Sequence, residues 1–317
     1  MRSVPGNALV TGCNGFVGRH LTADLRRDGW AVFGVDRGVA AWADWIDYGQ
    51  VDVADERELS VFIGKRHFDL AFHLAAVANP RSAAENPLEA VRSNILGSAI
   101  MYESCRRGAV NRLLVIGSSE QYKRAGPDLA VLTEDSEVQG SNVYGMTKVC
   151  AELCGRTFVD KYGCQIIFTR SFNHTGPGQS PAFVLSGFAK QCAEISLGLR
   201  EPRILVGNIA ARRSFLDVRD VMRAYRLLAQ VGVAGETYNV CAAEIHSLRI
   251  LLDILVSCTG RTDITIEVDP SRLRTDDPEL IRGDPRKIHE LTGWVPRVPI
   301  RETLENIYRY WLSELAR

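Results

Sequence analysis

The stretch TGCNGFVG, residues 11–18, follows the first apolar run of the chain and sets three glycines, Gly12, Gly15 and Gly18, at a regular spacing of three. The preceding NALV reads as a strand. The following VGRHLTADLRRDG reads as a helix, with Val17, Leu21 and Leu25 on one face and Gly29 as its stop. A glycine-rich turn between a strand and a helix gathers backbone N–H groups and the positive end of the helix at one point, which suits a diphosphate. Gly12 then serves the tight turn, Gly15 the approach of the phosphates, and Gly18 the close packing of helix on sheet. The next strand, WAVFGVD, ends on Asp36. Its carboxylate can accept hydrogen bonds from an adenosine ribose, which favours NAD, whereas the adjacent Arg37 could pair with the 2′-phosphate of NADP. Asp52, after a third short strand, is either a partner for the adenine amino group or a solvated loop acid.

Outward from this turn the alternation continues. DERELSVFIGKR reads as a helix, FDLAFHLAA as a buried strand, and PLEAVRSNILGSAIMYESCRRG as a long helix bent around Gly97. NRLLVIGSS is a strand ending in two serines, YGMTKVCAELCGRTFVDKYG a helix, and CQIIFTRSFN a strand. Continuously apolar strands alternating with helices predict an α/β fold, a doubly wound parallel (Rossmann) sheet covered on both faces, with right-handed crossovers. After about residue 174 the pattern changes to Gly/Pro-rich loops, such as HTGPGQSP, and scattered helices. The short strand ETYNV is expected to return to the main sheet. The expected division is a dinucleotide-binding domain over 1–174 and about 208–240. A smaller, discontinuous α/β substrate lobe takes about 175–207 and 241–317, over the carboxyl ends of the strands.

Composition narrows the function. The chain has 317 residues, 46% of them hydrophobic, and 38 basic residues balance 38 acidic ones. A neutral chain of this kind gives no support to a general nucleic-acid or anionic-membrane binder. No apolar run reaches the roughly 18 residues that span a bilayer, and the cytoplasm is the default expectation. The eight cysteines form no CxxC pair, so they are expected to be reduced, mostly buried thiols, and no metal site is expected.

The chemistry lies in YGMTK, which puts Tyr144 and Lys148 four residues apart, on one face of a helix. An ammonium beside a phenol favours the phenolate and brings its proton within reach of neutral-pH work, so the pair can deliver or remove a proton at a carbonyl or alcohol oxygen. Ser118, at the tip of the preceding strand, can donate a second hydrogen bond to the same oxygen.

With TGxxGFxG, HLAA (73–76), GSSEQY (117–122) and YxxxK in place, the chain resembles the extended short-chain dehydrogenases/reductases that act on nucleotide sugars. The segments RSFNHTGPGQSPAFVLSGFAKQ (170–191), GNIAARRSFLDVRDV (207–221), TYNVC (237–241) and DPSRLRTDD (269–277) are similar to the GDP-mannose branch of that family. The resemblance implies NAD(H) or NADP(H) as cofactor, held by the three glycines with Asn14, Phe16, Val17, Asp36, Arg37, Asp52, Val53, Leu74, Ala75 and Ala76, and by Tyr144 and Lys148. It implies Ser118, Tyr144 and Lys148 as catalytic residues, acting in reduction of the C4 keto group of a nucleotide-linked 4-keto-6-deoxyhexose, with GDP as the expected nucleotide. Ser119, Asn173, Lys190, Arg213 and Arg274 are the implied substrate-binding residues, the arginines gripping the diphosphate. His174 is expected to be structural. Glu120 occupies the place of the acid that assists water removal in 4,6-dehydratases of the family, so a dehydratase with tightly bound cofactor stays open, as do an epimerase and a non-catalytic NAD(P)-sensing regulator. Val143 and Lys123 stand where the family usually has Pro and Gly, which leaves the sugar open. A homodimer through the helices at 87–107 and 144–160 is also implied.

Overall fold

The computed structural model describes residues 5–40, 45–123, 131–273 and 280–317. The apolar runs become β1 (Asn7–Thr11), β2 (Ala31–Asp36), β3 (Asp47–Gln50), β4 (Phe68–His73), β5 (Val110–Ser118) and β6 (Gln165–Ser171). The short strand Thr237–Val240 joins them as an edge. All pairings are parallel, in the order Thr237–Val240, β6, β5, β4, β1, β2, β3. The strand order reverses beside β1, so the carboxyl ends of β1 and β4, where Thr11 pairs with His73, open the crevice in which such sheets bind ligands.

The helices are α1 (Phe16–Arg27), α2 (Glu56–Ile63), α3 (Pro80–Glu85), α4 (Pro87–Val91), α5 (Gly97–Arg106), α6 (Val143–Tyr162), α7 (Val184–Ser196), α8 (Val218–Val231), α9 (Leu248–Cys258), α10 (Arg286–Thr292) and α11 (Ile300–Leu315), and both faces of the sheet are covered. One face buries Leu21, Leu25, Val221, Tyr225 and Leu228, the other Leu59, Met101, Tyr102 and Phe168. A third core, with Leu185, Phe188, Leu251 and Leu304, joins α7, α9 and α11 into the smaller lobe, beside the parallel pair Arg203–Val206 and Thr265–Val268. Ile288 of α10 and Trp294, within the stretch 241–317, pack instead in the first core against α8.

The helix expected over 87–107 is interrupted. Residues Arg92–Leu96 form a π-helical turn between α4 and α5. Asn94 explains it: its Nδ2 donates to Thr147 Oγ1 at 2.9 Å, and its Oδ1 accepts from the Val77 N–H at 2.8 Å, so the backbone widens to aim this side chain at α6. Gly97 follows where a Cβ would sit 2.9 Å from Val53 Cγ2.

The glycine turn has the geometry its sequence requires. Gly12 has φ +69°, and a Cβ there would fall 2.7 Å from the Ala75 backbone nitrogen. A Cβ on Gly18 would fall 2.3 Å from the Gly12 carbonyl oxygen. All eight cysteines are free, five of them buried. Among the described residues no helix is long and apolar enough to cross a membrane, and no cluster of His, Cys, Asp or Glu could hold a metal ion.

Candidate active site

The two ends of the site are built from different loops at the switch point. At the cofactor end, Gly15 caps α1 and is exposed, and a Cβ there would lie 3.0 Å from the Gly12 carbonyl oxygen. The HLAA segment closes against the turn: the Leu74 and Ala75 N–H groups donate to Thr11 O and Oγ1, at 3.2 and 3.3 Å. An exposed glycine at a helix N-terminus with no side-chain cap, in a turn packed directly against the HLAA backbone, fits a dinucleotide diphosphate. Asp36 closes the next strand with Oδ2 accepting from the Asn14 N–H and Oδ1 from the Gly38 N–H, both at 3.0 Å. An ionised carboxylate has lone pairs left for ribose hydroxyls. Asn14 is fixed further by Nδ2 donating to Tyr48 Oη at 3.0 Å.

Arg37 is ion-paired with Glu89 of α4, so its guanidinium is drawn toward that helix. Asp52 pairs with Arg92 at 2.6 Å and accepts from the Ala54 N–H at 2.9 Å. Burial raises the Asp52 pKa, but these partners outweigh it and the net shift is downward. Asp36→Ala is expected to lower kcat/KM with NADH more than with NADPH. Equal losses with both cofactors would mean that Asp36 acts only by holding Asn14.

At the reacting end, Asn142 starts α6. Its Oδ1 accepts from the Gly145 N–H at 2.9 Å, which fixes the first helical turn and Tyr144 within it. A Cβ on Gly145 would lie 2.1 Å from the Glu120 carbonyl oxygen, so glycine lets the turn after β5 touch the helix. Glu120 belongs to this joint: its Oε2 accepts from Ser141 Oγ at 2.8 Å and from Asn142 Nδ2 at 2.7 Å.

Tyr144 is buried against Ala83, Ala90 and Val77, with the Ser118 hydroxyl in hydrogen-bonding reach of its phenol. Burial pushes the phenol up to about 12; Ser118 acts the other way and the Glu120 charge adds to the rise. This corrects the sequence-based expectation of a phenol made acidic by Lys148. Loss of water around the ring outweighs any help from the amine, whose Nζ donates to the Ile116 carbonyl at 2.8 Å. Burial also brings the Lys148 ammonium down to about 8. The buried His73 is pushed down to about 3 by burial and by Lys148, and is a neutral bridge between Thr11 Oγ1 (2.9 Å) and Ser98 Oγ (3.1 Å).

The structure thus brings together Ser118, Tyr144, Lys148 and Glu120 at the ends of β5 and α6, with Ser119 in the turn between them. Asn173 follows β6, and its carbonyl accepts from the Leu216 N–H at 3.0 Å. Arg213 is buried in a short sheet with His246–Ser247 and Leu280–Ile281, its Nη1 donating to the Arg212 carbonyl at 2.8 Å. Lys190, half-exposed, lies in the smaller lobe 3.5 Å from Glu194 and 5.6 Å from the centre of the Trp311 ring. Arg274 lies outside the described residues. His174 stacks on Phe16, and its Nδ1 meets the Phe172 carbonyl at 3.0 Å. Sequence reading missed Gln121, Asn94, Thr147, Ser141 and Asn142. The spacing Ser118-x-x-Gln121 is a capping-box signal that could have pointed to the first, and an asparagine two places before Tyr144 is an N-cap signal for the last.

A family model described as GDP-mannose 4,6 dehydratase matches residues 9–307. GDP-6-deoxy-D-mannose reductase of Pseudomonas aeruginosa is 31% identical over 311 residues, 97% of this chain and 97% of the relative. Among solved structures, RMD from Pseudomonas aeruginosa complexed with NADPH is similar with a TM-score of 0.83 at 29% identity, over 97% of this chain and 99% of that one. UDP-glucose 4-epimerase from Thermotoga maritima with UDP-glucose is similar with a TM-score of 0.87 at 25% identity, over 98% and 99%.

Proposed function

The chain belongs to the GDP-mannose 4,6 dehydratase family of extended short-chain dehydrogenases/reductases, NAD(P)-dependent enzymes of nucleotide sugars, and from this premise we propose that it reduces the C4 keto group of a nucleotide-linked 4-keto-6-deoxyhexose, with GDP-4-keto-6-deoxy-mannose converted to GDP-D-rhamnose. The observation that supports this direction is the 31% identity, over 97% of this chain, to GDP-6-deoxy-D-mannose reductase. Burial raises the pKa of the Tyr144 phenol, which accords with a role as proton donor in reduction. Glu120, the acid a dehydratase would use, is held by Ser141 and Asn142 in the joint between β5 and α6.

In the proposed mechanism the nicotinamide cofactor, when bound, supplies the hydride. Tyr144 hands its phenolic proton to the oxygen as negative charge develops there. Ser118 donates a hydrogen bond to that oxygen, and the Lys148 ammonium stabilises the phenolate that Tyr144 becomes. Asn173 and Arg213 are assigned to the nucleotide diphosphate, together with Arg274. The walls around Tyr144 are apolar, which keeps water from the developing charge. The reading includes a cytoplasmic homodimer, for which Leu88, Leu96, Met146 and Leu153 on the α4–α6 face supply exposed apolar surface.

The test is incubation with GDP-mannose and, separately, with its 4-keto-6-deoxy derivative, with and without NADPH or NADH. Reduced cofactor is expected to disappear only with the keto sugar. A keto product formed from GDP-mannose without added reductant would establish the dehydratase.

A further inference from the structure

We propose that Gln121 is a positioning residue for this reaction, the side chain through which a buried ion pair holds Ser118 opposite Tyr144; the inference rests on the assignment of those two residues to the substrate oxygen. Gln121 is 1% exposed. Its Oε1 accepts from the Ser118 N–H at 2.8 Å and its Nε2 donates to Glu152 Oε2 at 2.7 Å. A backbone N–H can only donate and a carboxylate only accept, so the two ends of the amide cannot exchange.

Glu152 is itself immobilised. It accepts from Arg170 Nη2 at 2.7 Å and Nε at 3.1 Å, from Arg156 Nη2 at 3.0 Å and from Thr237 Oγ1 at 2.9 Å. Arg170 donates to the Glu134 carbonyl at 3.0 Å and lies 4.8 Å over the Tyr122 ring, whose hydroxyl donates to Asn239 Oδ1 at 2.6 Å. Elements α6, β6 and the edge strand Thr237–Val240 therefore converge, through one amide, on one N–H group.

That N–H belongs to Ser118. With it tethered, the Ser118 Oγ accepts from the Glu120 N–H at 3.2 Å, and its own proton is left to point toward the phenol and the substrate oxygen. One helical turn before Glu152, Lys148 Nζ holds the Ile116 carbonyl at 2.8 Å. Helix α6 thus grips the end of β5 at two points, and the distance between the serine and the tyrosine is set by both. Gly117 lies between the grips, where a Cβ would fall 2.2 Å from Gln121 Oε1 and from the Thr169 carbonyl, so strand and amide are fitted to each other.

The test compares Gln121→Leu and Gln121→Glu with the wild-type protein, on whichever nucleotide sugar the wild type turns over. Melting temperature and binding of reduced cofactor are measured in parallel. Gln121→Leu is expected to lower kcat about 100-fold, the cost of a misplacement of about 1 Å, with KM and cofactor affinity within about twofold. A glutamic acid at 121 reproduces both hydrogen bonds only when protonated, because two facing carboxylates cannot both ionise cheaply. Gln121→Glu is therefore expected to keep gaining activity as pH falls below about 8, where wild type and Gln121→Leu are flat. Near-wild-type kcat in folded Gln121→Leu, or a wild-type pH profile in Gln121→Glu, overturns the proposal. If Gln121→Leu does not fold, the Gln121→Glu profile decides. A wild type inactive on the keto sugar refutes the substrate assignment only, since the variant-to-wild-type ratio is then taken on GDP-mannose.

Discussion

Tyr144→Phe is expected to reduce kcat by about 10²- to 10⁴-fold, the usual contribution of a positioned proton donor, while reduced cofactor and nucleotide sugar still bind. The ring keeps its contacts with Ala83, Ala90 and Val77, so the loss is one of chemistry and not of fold. The pH profile carries a second expectation. Burial holds Tyr144 as a phenol up to about 12, so its ionisation does not limit reduction in the working range. Lys148, brought down to about 8 by burial, does. Its ammonium is present below that value and lost above it, so kcat/KM is expected to be flat at lower pH and to fall about tenfold per unit above about 8. The check is steady-state consumption of reduced nicotinamide across pH, for wild type and for Tyr144→Phe. Undiminished turnover in Tyr144→Phe would remove the tyrosine from the mechanism.

Glu152→Ala is expected to cost about 3–5 kcal/mol of folding stability, because it leaves Arg170, only 4% exposed, as an unpaired buried charge. Denaturant unfolding measures the loss as a lower midpoint at unchanged slope. Replacing both partners, as Glu152→Leu with Arg170→Met, is expected to cost less than the single change, since no charge is then stranded. A single variant as stable as wild type would contradict the account of this network.

The acid limb of stability separates Glu152 from His73. Burial raises the Glu152 pKa, but Arg170 and Arg156 outweigh it and the net shift is downward from 4.5. Its contribution is complete above 4.5 and is lost as pH falls through the lower folded value. His73, buried neutral and shifted from 6.5 to about 3, makes a contribution that is complete above 6.5 and is lost as pH falls toward 3. Glu152→Ala should therefore flatten only the part of the acid limb below about 4.5, and leave the decline that begins near 6.5.

Short-range pattern carried a large part of this protein. The spacing of Gly12, Gly15 and Gly18 between an apolar run and an amphipathic one specifies the turn, because only glycine tolerates the close approaches that a tight strand–turn–helix demands. The alternation of apolar runs with helical periodicity specifies the doubly wound sheet, and the four-residue step from Tyr144 to Lys148 puts both on one face of a helix. Each of these depends on interactions within a few residues, which a sequence displays directly. Tertiary structure alone decided the burial that raises the Tyr144 pKa, since Ala83 and Ala90, which pack against it, are far away in sequence. It alone joined Arg37 to Glu89, opened the π turn that aims Asn94 at Thr147, and brought Gln121, Glu152, Arg170 and Thr237 into one network behind Ser118. Desolvation and long-range pairing depend on which surfaces meet when distant segments pack, and no local periodicity encodes that meeting.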